Sequence, residues 1–361
     1  MSGPPQPVSS GVAPRLAVFA TGLTAPWGLA FLPDGRLLVT QKGGSLVIIS
    51  ADGQSISAPL GGVLPVDSRD QGGLLDVAID PQFATNRRVY LSYSELVGGE
   101  NGTAVARGTL NATSTALENI QVIFQQSPKK ASSTGHYGSR LVFRKDGTLF
   151  ITLGERQGYA SEAQVLASHL GKVVRIRPDG TIPPDNPFVS QGGNAAAVWT
   201  YGNRNVQAAT LHPTTGELWI SEHGPQGGDE VNIALAGRNF GWPAVSYGCN
   251  YGAPVGTACR IGGGTHEPDY VEPTIYWYPV STAPGGMLFY TGSRFPEWQG
   301  SLFVGGLAGR TLWRFVLNGN AVVGQEPFFA GQHEIRDLKQ GPDGWIYMIS
   351  RNAGQVLRVE R

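Results

Sequence analysis

The chain is poor in cysteine and methionine and carries no charge bias. Its 361 residues include two cysteines and three methionines, and 27 basic residues balance 27 acidic ones. Zero net charge argues against nucleic acid as a partner, because phosphate binding draws on a basic surplus. A local basic pocket stays compatible with it. No apolar run reaches the ~18 residues of a membrane span. The start, Met1-Ser2-Gly3-Pro4-Pro5-Gln6-Pro7, has no apolar signal core. It reads as a flexible tail over 1–15, the trimmed front of an exported protein with a new initiator Met. Helical signals are also scarce; one stretch at 160–170 is the exception. Cys249 and Cys259 lie close together in a Gly-rich loop. Their closeness predicts a disulfide and a periplasmic or secreted location, against the alternative of two free thiols. A zinc site would need a second pair.

Turn formers are abundant. There are 51 Gly and 25 Pro, yet 41% of residues are hydrophobic and 8 are Trp, which excludes a disordered chain. One phrase recurs six times. Its first copy is Trp27-Gly28-Leu29-Ala30-Phe31-Leu32-Pro33-Asp34-Gly35, an apolar strand running into a tight turn. Related copies begin at Gly73, Ser139, Val206, Gly286 and Asp337, with a mean spacing of about 60 residues, a period of propeller blades. Short β-branched and aromatic runs follow each copy, enough for four strands per unit. The predicted fold is all-β: a single six-bladed propeller of four-stranded antiparallel blades over 16–361, with a loop insertion around 239–284. A pair of β-sandwiches would not explain the repeat.

A repeat aligns loops, so the residues just ahead of each inner strand gather on one rim. These include Gln71, His136, Arg204, Asn205 and Arg336. Taken singly, a His in a Gly-rich turn or an Arg near a strand start is ordinarily structural. Together they predict a channel mouth for an anionic ligand, with His136 as a base. A second constellation lies at 221–232, where Ser221-Glu222-His223-Gly224-Pro225-Gln226-Gly227-Gly228-Asp229-Glu230 offers carboxylates and exposed carbonyls. Calcium takes six to eight such oxygens, and the alternating ligands of an EF-hand are absent. An acidic turn is the plainer alternative.

With these residues in view, the chain resembles the soluble quinoprotein sugar dehydrogenases, the pyrroloquinoline quinone (PQQ) enzymes of the aldose sugar and glucose dehydrogenase group. The motifs are Arg69-Asp70-Gln71-Gly72-Gly73-Leu74-Leu75, His136-Tyr137-Gly138-Ser139-Arg140-Leu141, Gly202-Asn203-Arg204-Asn205, and residues 221–232 followed by Asn239-Phe240-Gly241-Trp242-Pro243. The resemblance implies that His136 takes the proton of a sugar's C1 hydroxyl while hydride passes to PQQ. It implies PQQ contacts at Gln71, Arg204, Asn205 and Arg336. It also implies a calcium (Ca2+) held by the carbonyls of Gly224 and Pro225, and a second held by Glu230 with the carbonyl of Phe240. Three positions depart from the family pattern. Ala308 falls where the glucose dehydrogenases have a lysine, Glu334 replaces one of two arginines, and Glu155 replaces an aspartate.

The expected activity is therefore oxidation of aldose sugars to lactones, by a monomer or homodimer with an electron acceptor the sequence does not name. Two other readings stay open: a propeller lactonase, which wants carboxylate and Asn ligands at the channel centre, and a binding propeller without chemistry.

Overall fold

The repeated Asp-Gly phrase closes a hairpin by local hydrogen bonds. In the first copy Gly35 N–H donates to Leu32 O at 2.9 Å and Asp34 Oδ1 accepts the Arg36 N–H at 3.1 Å. In the third, Gly147 N–H donates to Arg144 O at 2.9 Å and Asp146 Oδ1 accepts from Thr148 N–H at 2.9 Å. In the sixth, Gly344 N–H donates to Gly341 O at 2.9 Å and Asp343 Oδ1 accepts from Trp345 N–H at 3.2 Å. The three glycines have φ of +87°, +82° and +81°, which a side chain would strain.

The computed structural model describes residues 5–361, and each hairpin is the inner half of one of six sheets. Blade one is Pro26–Phe31, Leu37–Gln41 and Ser45–Ile49; blade two is Leu74–Ile79, Arg88–Val97, Glu100–Leu110 and Leu117–Gln125. Blade three is Leu141–Phe143, Leu149–Thr152, Lys172–Ile176 and Val198–Tyr201; blade four is Val206–Leu211, Leu218–Glu222, Asp229–Ile233 and Ile275–Trp277. Blade five is Pro284–Phe289, Leu302–Gly306, Leu312–Asn318 and Ala321–Phe328. Blade six is Ile335–Gln340, Ile346–Ser350 and Gln355–Glu360, with Arg15–Thr21 from the other end of the chain as its outer strand. Pairing the two chain ends in one sheet closes the ring. The core lies between neighbouring blades, as where Leu38 and Leu46 pack with Leu74 and Leu91.

Four strands per blade is the rule; blade one keeps three and blade five takes a fifth, because Gln6–Pro7 pairs in parallel with Gly324 and Gln325. Ser10 N–H also donates to Glu326 Oε1 at 2.9 Å. Residues 6–10 are thus laid along blade five, where the sequence reads as a tail. Backbone pairing of this kind needs no apolar pattern, so the composition does not betray it. Residues 1–4 of that tail lie outside the described residues.

The expected helix at 160–170 is a single 3-10 turn, Ala160–Gln164. Lys172 Nζ closes off this turn by donating to the carbonyls of Glu162, Ala163 and Leu170 at 2.9, 2.9 and 2.7 Å. The excursion expected around 239–284 carries the outer strand of blade four, Ile275–Trp277. Three strand residues flanked by loop leave little periodicity to read.

Candidate functional site

Five inner strands carry a register shift near their start, at Pro26/Leu29, Leu74/Val77, Val206/Ala208, Pro284/Gly286 and Ile335/Asp337. Bulges turn side chains toward the channel. One layer of the channel is Gly28, Asp76, Arg140, Ala208, Gly286 and Asp337. Small residues leave the room that Arg140 fills. Its Nη1 lies 3.0 Å from Asp76 Oδ1 and 3.1 Å from Asp337 Oδ1, and its Nε donates to Gln207 O at 2.8 Å. Nη2 donates to the carbonyls of Gly285 and Arg336, and the guanidinium lies 4.2 Å from the Trp27 ring centroid. Arg140, just ahead of blade three's first strand, thereby touches the other five blades, including Trp27, Gln207 and Arg336 that line the pocket.

Above it opens a cavity of about 410 Å³, lined among others by Trp27, Lys42, Gln71, Gln207, Arg336 and Arg351. Arg336 is the second residue of its strand, not ahead of it, so it points into the channel from deeper than the sequence predicts. Its Nη1 donates to Gln207 Oε1 at 2.6 Å, its Nε is buried without a partner, and the guanidinium lies 5.3 Å from the Trp27 ring centroid. Burial, reinforced by the charges of Arg140 and Arg351, pulls its pKa down to about 9. A buried cation so placed favours an anion beside it, and the flat Trp27 ring suits a planar one.

His136 is buried beside this cavity rather than lining it, and is joined to it through Gln71 Oε1, which accepts the His136 N–H at 3.0 Å. The residue sits at φ +49° and its Nδ1 lies 2.6 Å from Glu155 Oε1. A carboxylate on Nδ1 fixes the tautomer and leaves Nε2 with the free lone pair. Burial lowers the imidazole pKa, and the nearby Arg204 and Arg156 charges add to that, against the opposing pull of Glu155. The ring is therefore neutral near pH 7 and able to accept a proton. Glu155, a departure from the family pattern, still reaches the base.

Arg204 and Asn205 meet the loop that follows blade four's second strand. Arg204 Nη1 donates to His223 O at 3.0 Å and Gly224 O at 2.6 Å, while its Nε is buried and unpartnered. Asn205 Oδ1 accepts the Gly138 N–H at 3.1 Å, and its Nδ2 is buried without a partner. The Gly224 carbonyl is thus occupied by a guanidinium, so a cation already sits against the carbonyls of this loop. The loop is tight enough to need glycine: a Cβ on Gly224 would lie 2.2 Å from Gly227 O. Pro225 is buried in it.

Gly224, Glu230 and Phe240 line a second, much smaller cavity of about 10 Å³, with Glu222 and His266. Glu222 and Glu230 are directly opposed across two strands, where like charges repel. Burial and the Glu222 charge push the Glu230 carboxyl well above the usual carboxylate range, and Asn232 Oδ1 is buried without a partner. Two opposed buried acids beside room for one atom are hard oxygen donors of the kind calcium takes, although no cluster of three or more His, Cys, Asp or Glu side chains placed to hold a metal ion is present among the described residues. Cys249 and Cys259 form the expected disulfide. Gln226 ties that loop to the carbonyl loop: its backbone pairs with Cys249, its Nε2 donates to Ala253 O at 2.8 Å, and its Oε1 accepts the Gly252 N–H at 3.1 Å.

The rim reading missed Lys42, His223 and Arg351. All three follow the second strand of a blade, which in an antiparallel hairpin ends where the first begins. The repeat contained that signal. Glu222 belongs to the acidic loop that the sequence marked at 221–232, whereas His266 carried no signal beyond its residue type.

The fold and site define a propeller with a buried, carboxylate-held imidazole beside a cation-lined pocket. Residues 23–358 match the family described as Glucose / Sorbosone dehydrogenase, and the chain belongs to it. It is 41% identical over 351 residues to aldose sugar dehydrogenase YliI of Escherichia coli K12, covering 96% of this chain and 92% of that one. It is 27% identical over 421 residues to quinoprotein glucose dehydrogenase B of Acinetobacter calcoaceticus, covering 94% and 86%. Its structure is similar to the PQQ-bound form of aldose sugar dehydrogenase from Streptomyces coelicolor, with a TM-score of 0.76, 28% identity and coverage of 96% and 98%.

Proposed function

We propose that this sugar dehydrogenase relative is a PQQ- and calcium-dependent enzyme that oxidises the C1 hydroxyl of aldoses to lactones, with His136 as general base. The carrying observation is the pairing of a neutral, Glu155-held imidazole with a pocket whose buried Arg336 has an unpartnered Nε. When bound, PQQ supplies the acceptor for the hydride leaving C1, and calcium supplies a Lewis acid at its quinone oxygen. The residues do the rest. His136 Nε2 takes the hydroxyl proton as C1 becomes a carbonyl, and the Glu155 carboxylate stabilises the imidazolium that results. Gln71 holds the His136 backbone and borders the cavity, which suits a role in aiming the sugar. Arg336, Arg204 and Asn205 offer their unpartnered nitrogens to the anionic cofactor. Glu230 with Phe240 offers oxygens to one calcium; the Gly224 and Pro225 carbonyls would serve a second only once the Arg204 guanidinium leaves the Gly224 oxygen.

The quinoprotein relative and the PQQ-bound neighbour support the cofactor. The disulfide supports a periplasmic or secreted location, and no helix among the described residues is long and apolar enough to cross a membrane. Asp76 and Asp337, the carboxylates at the channel centre that a lactonase metal would use, are bonded to Arg140. The test is reconstitution: PQQ and calcium are added to the apoprotein, and dye reduction with aldoses is followed. Sugar-dependent reduction is expected. Its absence, together with an unchanged PQQ spectrum, refutes the reading.

A further inference from the structure

The large cavity holds more positive charge than the functional reading uses. Lys42 follows the second strand of blade one, Leu37–Gln41, and Arg351 follows the second strand of the adjoining blade six, Ile346–Ser350. Both line the cavity with Arg336, against two lining carboxylates, Asp70 and Glu334. Glu334 is divided: it binds Arg310 at 3.1 Å and reaches Arg351 only at 3.7 Å. Lys42 has no carboxylate within ion-pair distance among the described residues, and its Nζ spends one N–H on Ser68 O at 2.9 Å. Burial and then the Arg351 charge pull the Lys42 pKa down, so these cations feel one another across the cavity. Ala308, on the same wall, contributes no charge.

We propose that Lys42 and Arg351 are cofactor-binding residues, holding with Arg336 the carboxylates of the quinone in a chain that has Ala308 and Glu334 on that wall. The proposal rests on the PQQ reading above. Ammonium and guanidinium groups facing one shared space are separated by repulsion unless an anion joins them, and a polycarboxylate engages several at once. Arg351 is half exposed and partly satisfied by Glu334, so its share is the smaller of the two.

The experiment is titration of PQQ into the calcium-loaded apoprotein without sugar, read by quenching of tryptophan fluorescence. Lys42→Met is expected to weaken binding about tenfold and Arg351→Met about threefold, the scale of single charge-assisted contacts near a surface. Lys42→Arg retains most of the affinity. Glu334→Gln, which releases Arg310 and Arg351, tightens it. Added salt weakens the wild type more than a Lys42→Met/Arg351→Met double variant, because fewer charges remain to screen. Wild-type affinity in Lys42→Met and Arg351→Met, with melting temperatures unchanged, overturns the proposal while leaving the functional reading intact. Failure of the wild type to bind PQQ overturns both.

Discussion

Arg140 and Arg336 lie one layer apart in the same channel and have opposite surroundings. Arg140 is held by two carboxylates, three carbonyls and an indole face. Arg336 has one amide oxygen, an indole face and an unpartnered Nε. Both are buried. The first is a closed network that joins blades; the second is an open cation whose stability improves when an anion arrives. Burial alone does not separate a structural charge from a binding one. The separation lies in how many donors remain unspent.

The contrast is broken most severely at Arg140. Arg140→Ala strips Asp76 of its ion-pair partner and leaves Asp337 only Lys339 at 3.5 Å, and stability is expected to fall by about 3–5 kcal/mol, measured by denaturant unfolding. A loss under ~1 kcal/mol would mean the axis is not the fold's keystone. Next in size, His136→Ala should cut turnover roughly 10²–10⁴-fold with PQQ affinity retained, seen by comparing steady-state rates with cofactor titration. Arg336→Met should act in the reverse sense to Arg140→Ala. PQQ affinity drops roughly 30-fold or more, while the melting temperature of the apoprotein holds or rises, because an uncompensated buried charge is removed. A fall in melting temperature with unchanged PQQ affinity would place Arg336 with Arg140.

The smallest effect is on pH. His136 titrates below its ordinary value of about 6.5, so kcat/KM should rise with pH through an inflection on the acid side of that value. Glu155 opposes this lowering, so Glu155→Gln should move the inflection to still lower pH and slow turnover. An inflection that moves upward would contradict the assignment of Nδ1 to Glu155.

Much of this was legible beforehand, for a physical reason. Hairpin turns are local chemistry, so Asp34-Gly35, Asp146-Gly147 and Asp343-Gly344 announced the blades. The period then placed Gln71 at the cavity, with Arg336 deeper in the channel and His136 buried behind Gln71. Arg140 is one residue of a motif in the sequence, and its importance comes from partners on five other blades. The expected helix at 160–170 is instead a short 3-10 turn whose carbonyls are bonded by the buried Lys172 ammonium.

The sequence by itself determined the blade repeat, the placing of Gln71 at the pocket and the closeness of the two cysteines, since each depends on short-range spacing along the chain. Only the tertiary structure decided which buried arginine is satisfied and which is open, that Glu222 faces Glu230, and that Lys42 and Arg351 share the cavity with Arg336. Those are contacts between strands of different blades, and hydrogen-bond satisfaction at such contacts is set by three-dimensional neighbours that no spacing in the chain encodes.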